Sequence, residues 1–508
     1  MKLEPKTEPK TEIDKITHLG VIMSGSSTPN HLEFNFQINE DVDLPVGSYV
    51  EIPIGTRVIL GRVYRMQTSN EYYSDPNFIR DHLKRRIPIS SRLPVRIGRW
   101  RMARTRIVGV LENDSVLPPE IAPEPGDAVY SAGKSLLARF LGLASNGLYI
   151  GKMHGCTQID ILLNLETLVK HHLAVLGSTG SGKSYTNGVI IEELLEQNLP
   201  VIVIDPHGEY NSIRRTNQAE LQRMNYFEVR PKGYPTIVYT PRSEMTATTK
   251  ELSIRLKDLD VEAMSEITSM SDIQMDLLYL TLQKMKQLVD YDIDKLVDTL
   301  KITAEEWNFN NRTTFSVIRR VLITQELNIL GKGIDIQELV KPGILCIIDL
   351  SGDIDERVRQ ILAAILMKEI FIARKKELIP PCFIIIEEAH RFAPQEMDCY
   401  SKKMLRRLAR EGRKFGLGVC ITSQRLVGLD KDALSQCGSK IVLRIDSKTD
   451  LDYVKPFLNL GSNEELARLP FLPQGVGIVS GVCVRSPIVT QIRVRKSMHG
   501  GEGAKIKA

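Results

Sequence analysis

The segment GSTGSGKS, residues 177–184, constrains the fold of this chain more than any other stretch. It follows the apolar run HLAVLG and precedes the helical pattern KSYTNGVIIEELLEQ, so it joins a buried strand to a helix. Glycines at positions 177, 180 and 182 allow backbone amides to curve around phosphate oxygens, and a helix N-terminus favours their negative charge. The order strand, glycine-rich loop, helix therefore predicts a nucleoside triphosphate site at the edge of a sheet.

Two side chains of this segment have a predicted chemical role. Lys183 would reach the β- and γ-phosphates, and the hydroxyl of Ser184 would ligate Mg²⁺. The competing interpretation is a glycine-rich turn without a ligand, and the strand before it and the helix after it argue against that. We predict ATP and Mg²⁺ as ligands, with this binding segment: Gly177, Ser178, Thr179, Gly180, Ser181, Gly182, Lys183, Ser184 and Tyr185.

A second apolar run, CFIII at 382–386, ends on two consecutive carboxylates, Glu387 and Glu388. Buried carboxylates are costly unless they are paired or bind a metal. Beside a P-loop, an acid at the end of a neighbouring strand holds the magnesium shell, and we assign that role to Glu387. Glu388 would then orient or deprotonate the attacking water. Two surface acids at a strand exit are the alternative.

Two more apolar runs end in polar groups. VIVID ends at Asp205, which we place near the nucleotide as a further carboxylate of the metal site. GLGVCITSQ ends at Gln424, which would either sense the γ-phosphate or cap a turn.

The run KKMLRRLAREGRK, 402–414, places Arg406, Arg410 and Arg413 at spacings of four and three residues, which puts them on one helix face. The side chain of an arginine there would extend across the subunit boundary and neutralise charge on the γ-phosphate bound by a neighbouring subunit. Basic residues near a helix end also complement the helix dipole, so both interpretations stay open.

The distribution of apolar runs predicts the domain organisation. Continuous apolar runs that alternate with helical patterns indicate an α/β core with a parallel sheet, over 141–244 and 336–484. Between 245 and 335 the pattern is helical, which predicts a helical insertion. Short alternating runs over 16–140 predict a small β-barrel domain. We expect a disordered lead-in at 1–15, rather than a signal peptide, and a C-terminal strand with a loose tail at 485–508.

The net charge of +5 is too small to indicate a partner, but its distribution is uneven. Residues 82–111 contain no acid and nine basic residues, which predicts contact with DNA or an acidic partner unless the stretch is only a solvated face. They are Lys84, Arg85, Arg86, Arg92, Arg96, Arg99, Arg101, Arg104 and Arg106. No stretch of about 18 uncharged apolar residues occurs, so we expect no membrane span. Seven cysteines without a CxxC pair indicate reduced thiols in a cytosolic protein.

Four segments, in this order, resemble the archaeal HerA DNA translocases of the HerA/FtsK group of RecA-like motors: LAVLGSTGSGKS, VIVIDPHGEY, FIIIEEAHRFAP and LAREGRKFGLGVCITSQR. The resemblance covers the chain from about 150 to 480 and extends to the barrel and the helical insertion. It implies a RecA-like P-loop ATPase core and a catalytic glutamate at Glu388. It also implies an arginine finger that acts on the neighbouring subunit, best matched by Arg413 with Arg410 as the fallback, and a glutamine sensor at Gln424.

The resemblance also implies partners. Members form hexameric rings threaded by DNA, which we expect to be double-stranded here, and act with the NurA nuclease in resecting DNA ends. They bring a C-terminal segment and a basic residue from just before the P-loop strand to the nucleotide site across the subunit boundary. Lys170 or His171 occupies the latter place. The implied protein is a homohexamer with a NurA-type nuclease partner, located in the cytoplasm with the nucleoid and without a membrane association.

Two other classes of function stay open on the sequence. A protein-remodelling ring of the AAA+ type shares the P-loop but usually carries an Asn-type sensor where this chain has Gln424. A nucleotide-gated scaffold for a nuclease requires negligible turnover, and the complete set of catalytic residues argues against it.

Overall fold

The computed structural model describes residues 17–24, 28–70, 73–84, 98–113, 115–241, 244–327, 329–460 and 463–500. These residues divide between two compact units. The first holds the chain up to Leu143 together with Met153–Ile159, and the second holds Ala144–Lys152 and the chain from Asp160 onward. The predicted lead-in and the end of the predicted tail lie outside the described residues, as do Arg85, Arg86, Arg92 and Arg96 of the basic stretch.

The first unit is the predicted β-barrel. Its strands are ordered β2-β1-β7-β3-β4-β5-β6, and a further pairing of β2 with β5 closes six of them into a barrel. The elements are β1 (His18–Ile22), β2 (Glu33–Ile38), β3 (Tyr49–Ile54), β4 (Arg57–Asn70), α1 (Pro76–Lys84), β5 (Arg99–Glu112), β6 (Ser115–Leu117), β7 (Ala128–Ser131) and α2 (Lys134–Leu141).

The barrel closes because alternate side chains on its strands are apolar and point inward. Phe34, Phe36, Val63 and Ala103 belong to this core, each nearly or fully inaccessible to solvent. The strands β4 and β5 are longer than the short runs that we predicted, with 14 residues each.

The second unit contains the predicted α/β core. The end of β8 and the first half of β9, within Met153–Ile159, are counted in the first unit. The strands of the large sheet are β8 (Leu148–Met153), β9 (Cys156–Leu163), β10 (Leu173–Leu176), β11 (Val201–Asp205), β12 (Thr236–Pro241), β13 (Lys250–Leu252), β14 (Leu345–Asp349), β15 (Cys382–Ile386), β16 (Leu417–Ser423), β17 (Ser439–Val442), β18 (Val476–Gly481) and β19 (Ile488–Ile492). They form one sheet in the order β13-β12-β14-β11-β15-β16-β10-β17-β18-β19-β8-β9.

The pairings from β13 through to β17 are all parallel. Every residue of β10, β11, β15 and β16 is buried, as expected for strands covered by helices on both faces. The loops that follow β10, β11, β15 and β16 therefore emerge at the same edge of the sheet. This edge is where open α/β sheets bind their ligands.

The helices of the second unit are α3 (Leu165–His171), α4 (Lys183–Glu196), α5 (Leu221–Phe227), α6 (Val261–Thr268), α7 (Asp272–Met285), α8 (Ile293–Glu306), α9 (Asn311–Glu326), α10 (Ile336–Leu339), α11 (Glu356–Lys375), α12 (Tyr400–Glu411), α13 (Lys431–Ser435), α14 (Lys448–Val454) and α15 (Asn463–Arg468). Helices α6 to α9 lie where the helical insertion was predicted, although the short strand β13 precedes them and pairs with β12. None of the described helices combines the length and apolarity needed to cross a membrane.

The C-terminal region contains a strand, β19, where one was predicted. β19 pairs antiparallel with β18 and lies inside the large sheet, between β18 and β8. After it, the described residues continue to residue 500. Buried charged residues within 493–497 hold this segment on α4, as described below.

Candidate nucleotide site

The glycine-rich loop follows β10 and leads into α4, as predicted. Gly180 and Gly182 have φ angles of +73° and +107°, which side chains rarely adopt. At Gly177 the reason is close packing instead, since a Cβ atom there would lie 2.7 Å from Oγ of Ser181 and 2.9 Å from Cβ of Leu443. The shape of the loop therefore depends on glycine at three positions. Gly180 and Gly182 have positive φ angles, and Gly177 lies too close to Ser181 and Leu443 to carry a Cβ atom.

The loop borders a cavity of about 790 Å³ at the carboxyl edge of the sheet. Lys183 is the first residue of α4 and is buried, and its Nζ donates a hydrogen bond to the carbonyl oxygen of Ser178 at 3.1 Å. Burial lowers the pKa of Lys183, and the nearby carboxylates of Glu388, Glu387 and Glu209 oppose that shift. Sixteen residues line the cavity: Thr179, Gly180, Gly182, Lys183, Ser184, Tyr185, His207, Glu209, Glu220, Arg223, Glu388, Gln424, Gln474, Gly475, Ile492 and His499.

Glu388 faces this cavity although it directly follows Glu387. β15 ends at Ile386, and Glu388 adopts a left-handed backbone conformation with φ +48°, which redirects its side chain. Its Oε2 lies 3.1 Å from Nδ1 of His390 and 3.4 Å from the backbone nitrogen of Gln424. Burial would raise the pKa of Glu388, but the hydrogen bond from His390 and the charges of His390 and Lys183 outweigh it and lower the pKa. The structure thus holds Glu388 as an ionised carboxylate against the cavity.

Glu387 points elsewhere. Its Oε1 accepts hydrogen bonds from Nδ2 of Asn187 on α4, at 2.6 Å, and from the hydroxyl of Tyr210. The same Asn187 amide donates to Oγ1 of Thr422 on β16 at 2.7 Å. Glu387 is 4% exposed and is not among the residues that line the cavity. Glu387 therefore links α4, the helix that follows the P-loop, to the end of β15. Its role in the metal shell stays a prediction.

Glu387 and Glu388 also differ in the direction in which their pKa values are shifted. Burial raises the pKa of Glu387 to about 8, and the charges of Asp205 and Glu388 add to the effect against the hydrogen bond from Asn187. Between pH 4.5 and about 8, Glu387 therefore keeps its proton in the folded protein but loses it in the unfolded chain. Because the folded state binds the extra proton, the free energy of unfolding must fall as the pH rises through this range.

We expect Glu387→Gln to remove this pH dependence without loss of fold. The glutamine oxygen can still accept both hydrogen bonds, and no proton is needed to keep it neutral. We expect the difference in melting temperature, variant minus wild type, to increase by several degrees between about pH 5 and about pH 8.5. Both melting temperatures are measured in EDTA without nucleotide. Glu388→Gln is the matched control, since its carboxyl has a lowered pKa and the difference from wild type should stay constant in that range. A pH-independent difference for Glu387→Gln would contradict the assignment.

Asp205 supports the loop after β11. Its two carboxylate oxygens accept backbone hydrogen bonds from His207, Gly208 and Tyr210 at 2.9–3.2 Å. Burial raises its pKa to about 7, although the bonds from His207 and Gly208 act against the shift. Asp205 does not line the cavity, so the structure shows it positioning the turn that brings His207 and Glu209 to the cavity wall. Its predicted metal role remains a prediction.

Gln424 lies at the end of β16 and connects it to the P-loop. Its Oε1 accepts a hydrogen bond from Oγ1 of Thr179 at 2.6 Å. Its backbone nitrogen contacts Glu388, so the sensor candidate touches both the phosphate loop and the catalytic candidate. Capping a turn, the other interpretation of Gln424, does not account for the bond to Thr179.

The C-terminal segment contributes to the same cavity. His499 lines it, with its ring 5.4 Å from that of Tyr185 in an edge-to-face arrangement. Buried ion pairs hold the segment on α4, since Arg493 contacts Glu192 at 2.8 Å and Glu193 at 2.7 Å. The resemblance implied a C-terminal segment at a neighbour's nucleotide, and the structure places this one beside the P-loop of its own chain.

Two predicted residues lie at the opposite edge of the sheet from the P-loop. His171 ends α3 immediately before β10, and Arg413 lies in a 3-10 turn, Gly412–Phe415, immediately before the parallel strand β16. α3 packs against that turn, and the charge of Arg413 acts on the neighbouring His172. The length of β10 separates this edge from the P-loop by roughly 13 Å. Neither residue reaches the cavity of its own chain.

The three arginines of the basic run have different surroundings. Arg406 is bound to the buried Asp430 at 2.6 Å, and Arg410 lies 3.6 Å from Asp432. Within the described part of the chain, Arg413 is exposed and has no ion pair. It also lies beyond the end of α12, so the three residues do not continue one helix face as predicted.

The residues around the cavity fit a magnesium–nucleotide complex. The wall offers the Ser184 hydroxyl, the carboxylates of Glu209 and Glu388 and the amide of Gln424, which are oxygen donors of the kind that Mg²⁺ takes. In the described ranges, no three or more His, Cys, Asp or Glu side chains converge to hold a metal by themselves. Mg²⁺ bound to one or two protein groups and to phosphates does not require such a cluster.

Sequence reasoning did not assign several residues of the site. His390 follows Glu388 by two positions, and that spacing was its only signal. Asn187 lies on the buried face of α4 and Tyr210 beyond β11, and nothing local in the sequence indicates that both meet Glu387. His499 lies 314 residues after Tyr185, and only the folded sheet brings them together.

Comparison with known proteins matches residues 148–370 to the family described as the central domain of the helicase HerA. The chain is 28% identical to a probable helicase of Methanocaldococcus jannaschii, over 90% of this chain and 88% of that protein. It is also 28% identical to the DNA double-strand break repair helicase HerA of Pyrococcus furiosus, over 79% of each. The structure of VirB4 of Thermoanaerobacter pseudethanolicus shares the fold with a TM-score of 0.51 and 14% identity, over 69% of this chain and 97% of that one. Residues 148–370, which lie within the P-loop core described above, are therefore similar to the central domain of the helicase HerA.

Proposed function

We propose that this protein hydrolyses ATP to move along DNA, as a helicase or translocase in the repair of double-strand breaks. The observation that carries the proposal is one cavity in which Lys183, Ser184 and the ionised Glu388 meet. The names of two relatives, a probable helicase and a break-repair helicase HerA, support the action on DNA.

The roles of the residues follow from their positions. The amides of the P-loop and Lys183 bind the phosphates and balance their charge. Glu388 accepts the proton of the attacking water, and His390 orients its carboxylate for that task. Gln424 links the phosphate loop to the end of β16, so a change at the γ-phosphate would be transmitted to that strand.

Magnesium has a defined place in this proposal. Ser184 would be its protein ligand, with Glu387 and Asp205 as the predicted carboxylates behind the wall of the cavity. When bound, the ion neutralises charge on the phosphates. Residues of the chain perform the other steps.

The position of Arg413 supports assembly into a ring. An exposed arginine at the sheet edge opposite the P-loop cannot act on its own nucleotide, but it can act on that of the next subunit when copies pack head to tail. His171 lies at the same edge and would act across the same boundary. We propose a homohexamer on this basis, threaded by double-stranded DNA.

We also propose that the ring works with a nuclease of the NurA type in resecting DNA ends, in the cytoplasm and with the nucleoid. The resemblance to HerA motivates this partnership. Retention of the purified nuclease by the immobilised protein tests it.

The main test is ATP hydrolysis with and without DNA. We expect double-stranded DNA to stimulate hydrolysis and Lys183→Ala to abolish it, because the phosphates lose their buried cation. Phosphate release measured with duplex, single-stranded and no DNA is the assay, and thermal unfolding shows whether the variant remains folded. Hydrolysis that is indifferent to every DNA, together with unfolding of a tagged protein substrate, would favour a protein-remodelling ring instead.

A further inference from the structure

The outer face of three barrel strands carries an unusual set of paired arginines. In the register of β4 with β5, Arg62 lies opposite Arg106 and Arg65 opposite Arg104. Neighbours on these strands alternate between the two faces, and the inward residues include the buried Val63, Ala103 and Thr105. A bulge between Val63 and Arg65 shifts the alternation so that both arginines of β4 point outward.

This arrangement is unfavourable for the barrel itself. Directly opposite residues of antiparallel strands have Cα atoms about 4.5–5.5 Å apart, and like charges in such pairs are destabilising. Glu33 on β2 lies opposite Arg106 and offsets part of the charge. Together, the four arginines and Glu33 give this face a net positive charge.

The residues around the four arginines are polar and aromatic. Asn35 lies opposite Arg104 on β2. The guanidinium groups of Arg62 and Arg106 lie 5.5 Å from the ring centres of Tyr49 and Tyr64, respectively. Arginine, asparagine, glutamine and tyrosine are the side chains that contact phosphates and sugars in protein–DNA complexes.

The composition of the face argues for nucleic acid over protein. A stable protein interface has an apolar centre inside a polar rim. Of the described large apolar side chains that are exposed, none lies on β2, β4 or β5. The planar fork of arginine instead matches phosphate oxygens.

We propose that the outer face of β2, β4 and β5 binds the phosphate backbone of DNA through Arg62, Arg65, Arg104 and Arg106. This rests on the proposed action on DNA and adds a contact surface on the first compact unit. The proposal extends the predicted contact of the basic stretch 82–111 with DNA. Arg104 and Arg106 belong to that stretch, whereas Arg62 and Arg65 lie on β4 outside it. Arg101 is not part of the surface, since its guanidinium binds the carbonyl oxygens of Asn39, Glu40 and Val42.

The test is the salt dependence of DNA binding by the full chain with Arg104→Gln and Arg106→Gln together. Each phosphate contact releases counterions, so losing two should reduce the slope of log K against log salt by about 2. Affinity for a labelled duplex at low salt should fall about tenfold or more. Fluorescence anisotropy measures both, with duplex and single-stranded DNA of equal length.

Two controls separate this effect from loss of fold and from net charge. Lys286→Gln with Lys295→Gln removes the same charge from exposed positions of the helical insertion and should leave the slope unchanged. Arg104→Lys with Arg106→Lys keeps the charge and should keep most of the slope. Hydrolysis of ATP without DNA and the melting temperature should be preserved in all three variants.

The outcomes distinguish the two proposals. Wild-type protein that binds no DNA and is not stimulated by it overturns the proposed function, and this surface with it. Wild-type binding and stimulation, with an unchanged slope in the glutamine variant, overturn only the surface. That result would leave an acidic protein as the partner of the face.

Discussion

Replacing Glu388 by Gln should abolish ATP hydrolysis while leaving ATP binding close to that of the wild type. Glu388 is the ionised carboxylate that borders the cavity, and its glutamine form cannot accept a proton from water. Loss of a general base costs roughly 10²–10⁴ in rate. The phosphate-binding groups, which are the P-loop amides and Lys183, are untouched, so the Kd for ATP should stay within about a few-fold of wild type. Phosphate release and equilibrium binding of a fluorescent ATP analogue measure the two quantities.

Glu387→Gln is the matched control, because it makes the same change one residue earlier. Its side chain contacts Asn187 and Tyr210 rather than the cavity, so we expect a smaller loss of kcat than for Glu388→Gln. The roles are reversed if Glu387→Gln stops hydrolysis and Glu388→Gln does not. Equal and complete losses would mean that the two carboxylates act as a unit.

Mixing Arg413→Ala subunits with Lys183→Ala subunits should restore ATP hydrolysis that neither variant shows alone. Each variant lacks one half of a composite site, and loss of an arginine finger costs about 10³–10⁵ in rate. In a mixed ring, an Arg413→Ala subunit keeps a complete P-loop and can face the intact arginine of a Lys183→Ala neighbour. Titration of one variant into the other, followed by phosphate release, should pass through a maximum.

The structure supplies the controls for this experiment. Arg410→Ala tests the fallback residue, and Arg406→Ala tests an arginine that is bound to Asp430 inside its own chain. Only the variant of the true finger should complement Lys183→Ala. Activity no greater than the sum of the two separate variants refutes the assignment of Arg413, and a chain that stays monomeric at assay concentration refutes the ring.

Local patterns were sufficient for most of the fold. The P-loop was predicted because its glycines, its lysine and its position between a strand and a helix depend on neighbouring residues alone. The α/β core was predicted because strands that are buried on both faces have continuous apolar runs. The barrel was predicted because strands that are buried on one face alternate between apolar and polar residues. The long strands β4 and β5 were not foreseen, since a bulge interrupts the alternation of β4. The burial of residues 493–497 after β19 was not predicted, because most of them are charged and charged residues are ordinarily exposed.

For the site, the sequence by itself determined which groups are available: the P-loop, two adjacent glutamates, a glutamine at a strand end and three arginines. Their division of labour came only from the tertiary structure. The left-handed conformation at Glu388, the hydrogen bonds from Asn187 and Tyr210 to Glu387, and the ion pair between Arg406 and Asp430 are all set by packing between distant segments. A sequence pattern reports a residue's own periodicity and chemistry, but the direction of a side chain and its protonation depend on neighbours that only folding brings into contact.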